Sequence, residues 1–189
     1  MNTPNKLTLL RVILIPIFML FYMMKGEAAF YLYAALFVFI AAALTDQLDG
    51  YLARKNNQVT TFGKLMDPLA DKMLIMAALI CFVEFEVKYI TSWVVVIILS
   101  RELIVSGVRM IAMGENTVIA ASIWGKAKTV SQLVLVIAVM VFEAFCIYVP
   151  QAQGICDILV CILTVVATVL TIFSGFDYVW KNRGLLTFK

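Results

Sequence analysis

Four aspartates carry the most chemistry in this chain. Asp46 and Asp49 stand three residues apart and Asp67 and Asp71 four apart, beside residues with almost no side chain, Gly50, Ala53 and Ala70. Offsets of three, four and seven on a helix put Asp46, Asp49, Gly50 and Ala53 on one stripe and Asp67 with Asp71 on another. Only nine residues lie between Arg54 and Lys64, so two helices joined by so short a loop run antiparallel as neighbours and bring four carboxylates together. Such groups repel one another in a partly desolvated site unless cations bind between them. Hard divalent ions such as Mg2+ or Mn2+ favour oxygen ligands, and two metals about 3.5–4 Å apart form a common clamp for transfer at phosphorus. The plainer alternative is that the aspartates cap helices or pair with Arg54, Lys64 and Lys72.

A second concentration of charge follows. Arg101, Glu102 and Arg109 lie inside an apolar run, and Lys126 and Lys128 open the next one. Arg101 and Arg109 are eight apart and share a helical face, so with the two lysines they make a basic pocket suited to a phosphorylated acceptor. The alternative is anchoring of span ends at the membrane surface. A charge in hydrocarbon costs about 2.5–3.5 kcal/mol on insertion scales, and so many on one side imply a shared polar cavity.

The elements that must hold these residues are membrane helices. Of 189 residues, 63% are hydrophobic and 14% charged, and the mean hydropathy is +0.99, against roughly 45–50% apolar and 25% charged in soluble domains. These values speak against an ordinary soluble enzyme. Apolar runs over about Val12 to Met24, Ala28 to Thr45, Gly63 to Val83, Tyr89 to Met113, Gly125 to Val149 and Asp157 to Trp180 read as spans of roughly 20 residues. Without strict alternation of apolar and polar residues they favour helices over barrel strands. The expected fold is an all-α integral membrane protein, a bundle of six transmembrane helices forming one domain over residues 1–189, with an N-terminal interfacial segment.

No small-residue cleavage site follows the first run, so it reads as a retained span. Ser106, Gly107, Ser174 and Gly175 suit close helix approach. Lys and Arg gather at one face, with only Lys25 and Lys88 at the other, which places both termini and the charged cavity on the cytoplasmic side. Histidine is absent, and Cys81, Cys146, Cys156 and Cys161 form no C-x-x-C pair, which removes the usual zinc and haem arrangements and leaves the cysteines as packing residues. A net charge of +3 is too small for a nucleic-acid binder.

The segment D-Q-L-D-G-Y-L-A-R, eight residues, then G-K-L-M-D-P-L-A-D resembles the signature of the CDP-alcohol phosphotransferase family, D-x-x-D-G-x-x-A-R, eight residues, G-x-x-x-D-x-x-x-D. Every fixed position is present: Asp46, Asp49, Gly50, Ala53, Arg54, Gly63, Asp67 and Asp71. The resemblance implies that Asp46, Asp49 and Asp67 hold metal. It also implies that Asp71 completes a second metal site and takes the proton of an attacking hydroxyl, while Gly50, Ala53, Arg54 and Gly63 lie along a CDP moiety. The opening N-T-P-N-K-L-T-L-L-R is similar to the start of a bacterial branch of that family and makes Asn5, Thr8 and Arg11 candidate CDP contacts; the alternative is an amphipathic entry helix capped by Asn5 or Thr8. R-E-L-I-V-S-G-V-R and G-K-A-K-T resemble two further segments of the same branch, whose acceptor is glycerol 3-phosphate. Thr45, Gln47 and Leu65-Met66 depart from the family's usual wording without touching a fixed position.

The resemblance therefore implies an enzyme of the bacterial inner (plasma) membrane that passes the phosphatidyl group of CDP-diacylglycerol to sn-glycerol 3-phosphate, giving phosphatidylglycerophosphate and CMP with two divalent cations as cofactors. Membrane lipids surround it, and a homodimer follows from the resemblance alone. Two rivals stand beside this reading. One is a sibling enzyme with inositol phosphate or phosphatidylglycerol as acceptor. The other is a divalent-cation transporter, which intramembrane carboxylates would also suit, although the far halves of the spans offer few polar residues beyond Glu143 and Asp157.

Overall fold

The computed structural model describes the backbone of residues 3–55, 61–114 and 122–183 and the side chains of residues 9–45, 72–112 and 122–183. Six helices follow one another: α1 (Thr3–Met23), α2 (Ala29–Lys55), α3 (Thr61–Glu84), α4 (Ser92–Gly114), α5 (Ile123–Tyr148) and α6 (Gln153–Lys181). Among the described residues there is no strand. The breaks fall where the sequence expects them. A 3-10 turn at Met24–Gly26 ends α1, and a second at Pro150–Ala152 separates α5 from α6, with proline in its first turn, where a missing N–H costs nothing. Between α3 and α4, Glu86 and Tyr89 take left-handed φ values of 53° and 67° to turn the chain.

Two helices run past the apolar stretches that mark them. The opening segment is continuous with the first apolar run, one helix extending from Thr3 through Pro16 to Met23. Proline in the interior removes one backbone hydrogen bond but does not end the helix. The second helix runs ten residues past Thr45 to Lys55, so the first acidic motif rides on the same rod as the apolar run.

The chain divides into two compact units, one made of Met1–Phe85 with Val136–Gln153, the other of Glu86–Leu135 with Gly154–Lys189. In the first, α1 packs on α2 and α3, and α2 touches α3. Phe18 meets Phe39 at 5.6 Å between ring centroids and Phe21 meets Tyr31 at 6.4 Å, so α1 and α2 run antiparallel. Tyr22, near the end of α1, meets Phe82 and Phe85, at the end of α3, at 5.3 and 5.6 Å; these two helices run the same way. Phe18, Tyr22, Phe39, Leu79 and Phe82 are fully buried and interleave with Ala35, Ala42 and Ala78.

That end of the unit carries a polar clamp. Lys25 Nζ donates to Glu143 Oε1 at 2.6 Å and to Tyr22 Oη at 2.8 Å, while Tyr22 Oη donates to Glu143 Oε2 at 2.9 Å. The ammonium also lies 4.1 Å from the Tyr22 ring centroid and 5.0 Å from that of Phe85. Lys25→Met strips a half-buried carboxylate of its cation and removes one hydrogen bond to Glu143 and one to Tyr22. Its expected cost is about 1–3 kcal/mol, seen as a fall of roughly 3–10 °C in the thermal midpoint of the detergent-solubilised protein.

In the second unit, α6 buries Cys156, Val160, Thr164, Ala167, Thr171, Ser174 and Tyr178, a run of three- and four-residue steps that defines one face. Small and hydroxyl-bearing residues are inside and large apolar ones outside, the reverse of a helix packed in water. Two of the buried hydroxyls are satisfied within the helix, Thr171 Oγ1 by the Ala167 carbonyl at 2.6 Å and Ser174 Oγ by that of Thr171 at 3.1 Å. Ser122 meets Asp177, Trp124 meets Phe173, and Gln132 donates to Thr171 Oγ1 at 3.0 Å, so α5 and α6 are antiparallel. Gly175 lies against Arg101 and Tyr178 against Val105 and Val108, so α4 and α6 run in the same direction. Lys88, ahead of α4, donates to Asp157 Oδ2 at 2.7 Å. That hydrogen bond raises the Lys88 pKa above the ordinary lysine value, so the pair's contribution is present below that value and fades as pH rises through the raised one.

Large apolar side chains on the outside settle the environment. Phe37 is 74% exposed, Trp93 78%, Ile123 82% and Phe176 68%; such surfaces are solvated by lipid, not water. Among the described residues three helical segments, Leu9–Gly26, Ile123–Tyr148 and Pro150–Lys181, are long and apolar enough to cross a bilayer, and Ala29–Thr45 is a shorter apolar helix. The protein is a helical membrane protein.

Candidate active site

The acidic motif occupies the last turns of α2 and the first turns of α3. The side chains of Asp46, Asp49, Gly50, Ala53, Arg54, Gly63, Asp67 and Asp71 lie outside the described residues, as do those of Asn5 and Thr8 on α1. Helix register nonetheless gives their heights. Counting seven residues back along α1 from Phe18 and seven forward along α2 from Phe39 reaches Arg11 and Asp46. Counting eleven back from both Tyr22 and Phe82 reaches Arg11 and Asp71. The backbones of Asp46 and Asp71 therefore stand level with Arg11. Asp49 and Asp67 lie within about 6 Å of that level along the helix axes, at 1.5 Å per residue.

Arg11 itself is fully buried. A guanidinium can be kept there only among groups that accept its hydrogen bonds. The end of the unit where α2 finishes and α3 begins thus carries a buried cation, opposite the Lys25 clamp. For a divalent cation the donor set at this level is chemically apt: four carboxylates, with no histidine in the chain. Among the described residues no group of three or more histidine, cysteine or acidic side chains suits a metal. The four cysteines form no disulfide, and Cys81 and Cys156 are buried, in keeping with a packing role.

The basic cluster is built in the second unit. Glu102 Oε1 accepts from Arg101 Nη1 at 3.3 Å and also from Lys128 Nζ. One buried carboxylate therefore orients two cations that would otherwise repel each other. Gly125, at the start of α5, lies so that a Cβ on it would be 3.9 Å from Arg101 Nη2. A Cβ on Gly175 of α6 would be 2.8 Å from Arg101 Cγ, so the arginine stem rests directly on the helix backbone. Gly175→Ala forces Arg101 out of its rotamer, because Cγ moves only through χ1. The expected cost is about 1–3 kcal/mol, checked by thermal unfolding.

Arg109 is half-buried one face-repeat further along α4, but Lys126 does not join Lys128. Lys126 is exposed and Lys128 buried, because residues two apart on a helix point to nearly opposite sides. The sequence groups the two lysines; the helix separates them. Glu102 is the member that spacing alone missed, and its signal was an acid beside Arg101 within an apolar run. Gly107, expected at a close helix approach, has nothing within 4 Å of a Cβ built on it, whereas Gly175 takes that role with a side chain.

Residues 1–175 match the family model of the CDP-alcohol phosphatidyltransferases. The chain is similar to a Bacillus subtilis (strain 168) protein named CDP-diacylglycerol–glycerol-3-phosphate 3-phosphatidyltransferase, with 40% identity over 96% of this chain and 95% of that one. Proteins of the same name from Haemophilus influenzae and Escherichia coli (strain K12) are 36% and 37% identical, over 98% and 97% of this chain and 95% and 96% of theirs. With its acidic helix pair, its buried basic cluster and this match over most of its length, the chain belongs to the CDP-alcohol phosphatidyltransferase family.

Proposed function

We propose that the protein transfers the phosphatidyl group from CDP-diacylglycerol to sn-glycerol 3-phosphate, releasing phosphatidylglycerophosphate and CMP. The observation that carries this reading is the common height of the four carboxylate-bearing positions with buried Arg11, and the names of the full-length relatives supply the substrates. Asp46, Asp49, Asp67 and Asp71 would hold two divalent cations, Mg2+ or Mn2+, whose chemistry when bound is to neutralise the pyrophosphate oxygens. Asn5, Thr8, Arg11, Gly50, Ala53, Arg54 and Gly63 bind the CDP portion. Arg101, Arg109 and Lys128 take the acceptor's phosphate, and exposed Lys126 adds positive potential for its approach.

Asp71 accepts the proton of the acceptor's 1-hydroxyl. The alkoxide oxygen then forms a bond to the phosphorus that bears diacylglycerol, and the bond from that phosphorus to the CMP oxygen breaks, its electron pair leaving with CMP. The reaction is set at the cytoplasmic side of a bacterial inner membrane, in a single six-span domain with both termini inside. The charge pattern supports that orientation: the two lysines of the opposite face, Lys25 and Lys88, are each taken up by a carboxylate, Glu143 and Asp157. Those are also the acids of the far halves that a cation pathway would require, and their pairing weighs against transport.

The test is CMP release by purified protein with CDP-diacylglycerol and Mg2+, offering glycerol 3-phosphate, inositol phosphate, serine and phosphatidylglycerol in turn. Release with glycerol 3-phosphate alone is expected; release with a different acceptor overturns the assignment of the basic cluster.

A further inference from the structure

Four buried polar side-chain atoms in the second unit have no hydrogen-bond partner among the described residues: Thr164 Oγ1, Arg101 Nε, Arg109 Nε and the Tyr178 hydroxyl. The last three are not scattered. Arg101, Val105, Val108 and Arg109 follow one stripe of α4, and Tyr178 of α6 packs on the two valines between the arginines. Arg101 has both Arg109 and Tyr178 as electrostatic neighbours. Burying a hydroxyl without a partner costs folding free energy, and a phenylalanine would fill the same space without that cost. Three such groups on facing turns call for an acceptor that the described residues do not supply.

We infer that the Tyr178 hydroxyl is a further binding group for the acceptor substrate, donating to its phosphate monoester alongside Arg101 and Arg109. This rests on the reading above that the basic cluster takes the acceptor's phosphate. Glu102 already engages Arg101 through Nη1, which leaves the Nε edge for the ligand. A neutral phenol beside the Arg101 guanidinium adds a directional donor without adding repulsion, and so favours a tetrahedral oxyanion over a simple halide.

Tyr178→Phe removes only the hydroxyl. We expect the KM for glycerol 3-phosphate to rise about five- to tenfold, with the KM for CDP-diacylglycerol unchanged. The thermal midpoint without substrate should be unchanged or higher, and the stabilisation conferred by saturating glycerol 3-phosphate should shrink. A merely structural hydroxyl would lower the midpoint on removal and leave both KM values alone, and that result overturns the inference. Arg101→Gln in parallel separates the two levels: if it raises the acceptor KM while Tyr178→Phe does not, the tyrosine assignment fails alone. If neither variant moves it, the reading of the basic cluster fails with it.

Discussion

Replacing Asp71 with asparagine is expected to lower CMP release by about 10²–10⁴-fold, the range over which a positioned general base contributes. The substitution keeps shape and removes the carboxylate that takes the acceptor's proton. Its position is level with Arg11 and Asp46 by helix register, and neutralising one of four mutually repelling carboxylates should spare the fold, so circular dichroism should be unchanged. Titrating Mg2+ upward supplies the discriminating readout. Activity that stays lost at saturating Mg2+ supports the base assignment, whereas recovery toward the parent rate would reduce Asp71 to a metal ligand.

The second large effect is on stability. Glu102→Gln leaves Arg101 and Lys128 without their shared carboxylate in a site where the Glu102 and Lys128 side chains are only 7% and 5% exposed. Breaking a buried pair by removing one partner typically costs about 3–5 kcal/mol, because the uncompensated charge stays behind. A fall of that size is expected in the thermal midpoint or in the population of folded protein recovered in detergent. The double variant Glu102→Met with Lys128→Met should regain most of it, since an apolar pair of similar volume replaces the ionic one. Acceptor binding should not return with it. Recovery of stability together with an unchanged acceptor KM would remove Lys128 from the phosphate site.

Much of this was legible from residue order, and the reasons differ by feature. The interruptions at Lys25-Gly26-Glu27, Glu84 to Lys88 and Val149-Pro150 mark helix ends because lipid demands uninterrupted apolar runs and tolerates charge only near their margins. The acidic motif was readable because three- and four-residue spacing is a local property of one helix. Pairings between distant parts of the chain were not. Nothing local ties Lys25 to Glu143, 118 residues away, or tells that the stem of Arg101 rests on Gly175. Local geometry could also mislead. Lys126 and Lys128 are neighbours in sequence but not in orientation, and the opening segment continues as the first helix despite Pro16.

The most direct test of phosphatidyl transfer follows the acceptor into lipid. Purified protein is given CDP-diacylglycerol, Mg2+ and glycerol 3-phosphate labelled in its glycerol carbons, and the organic phase is analysed by mass spectrometry while CMP is counted in the aqueous phase. One labelled phosphatidylglycerophosphate per CMP is the predicted result. CMP appearing without label in the lipid, the mark of hydrolysis by water, would contradict it.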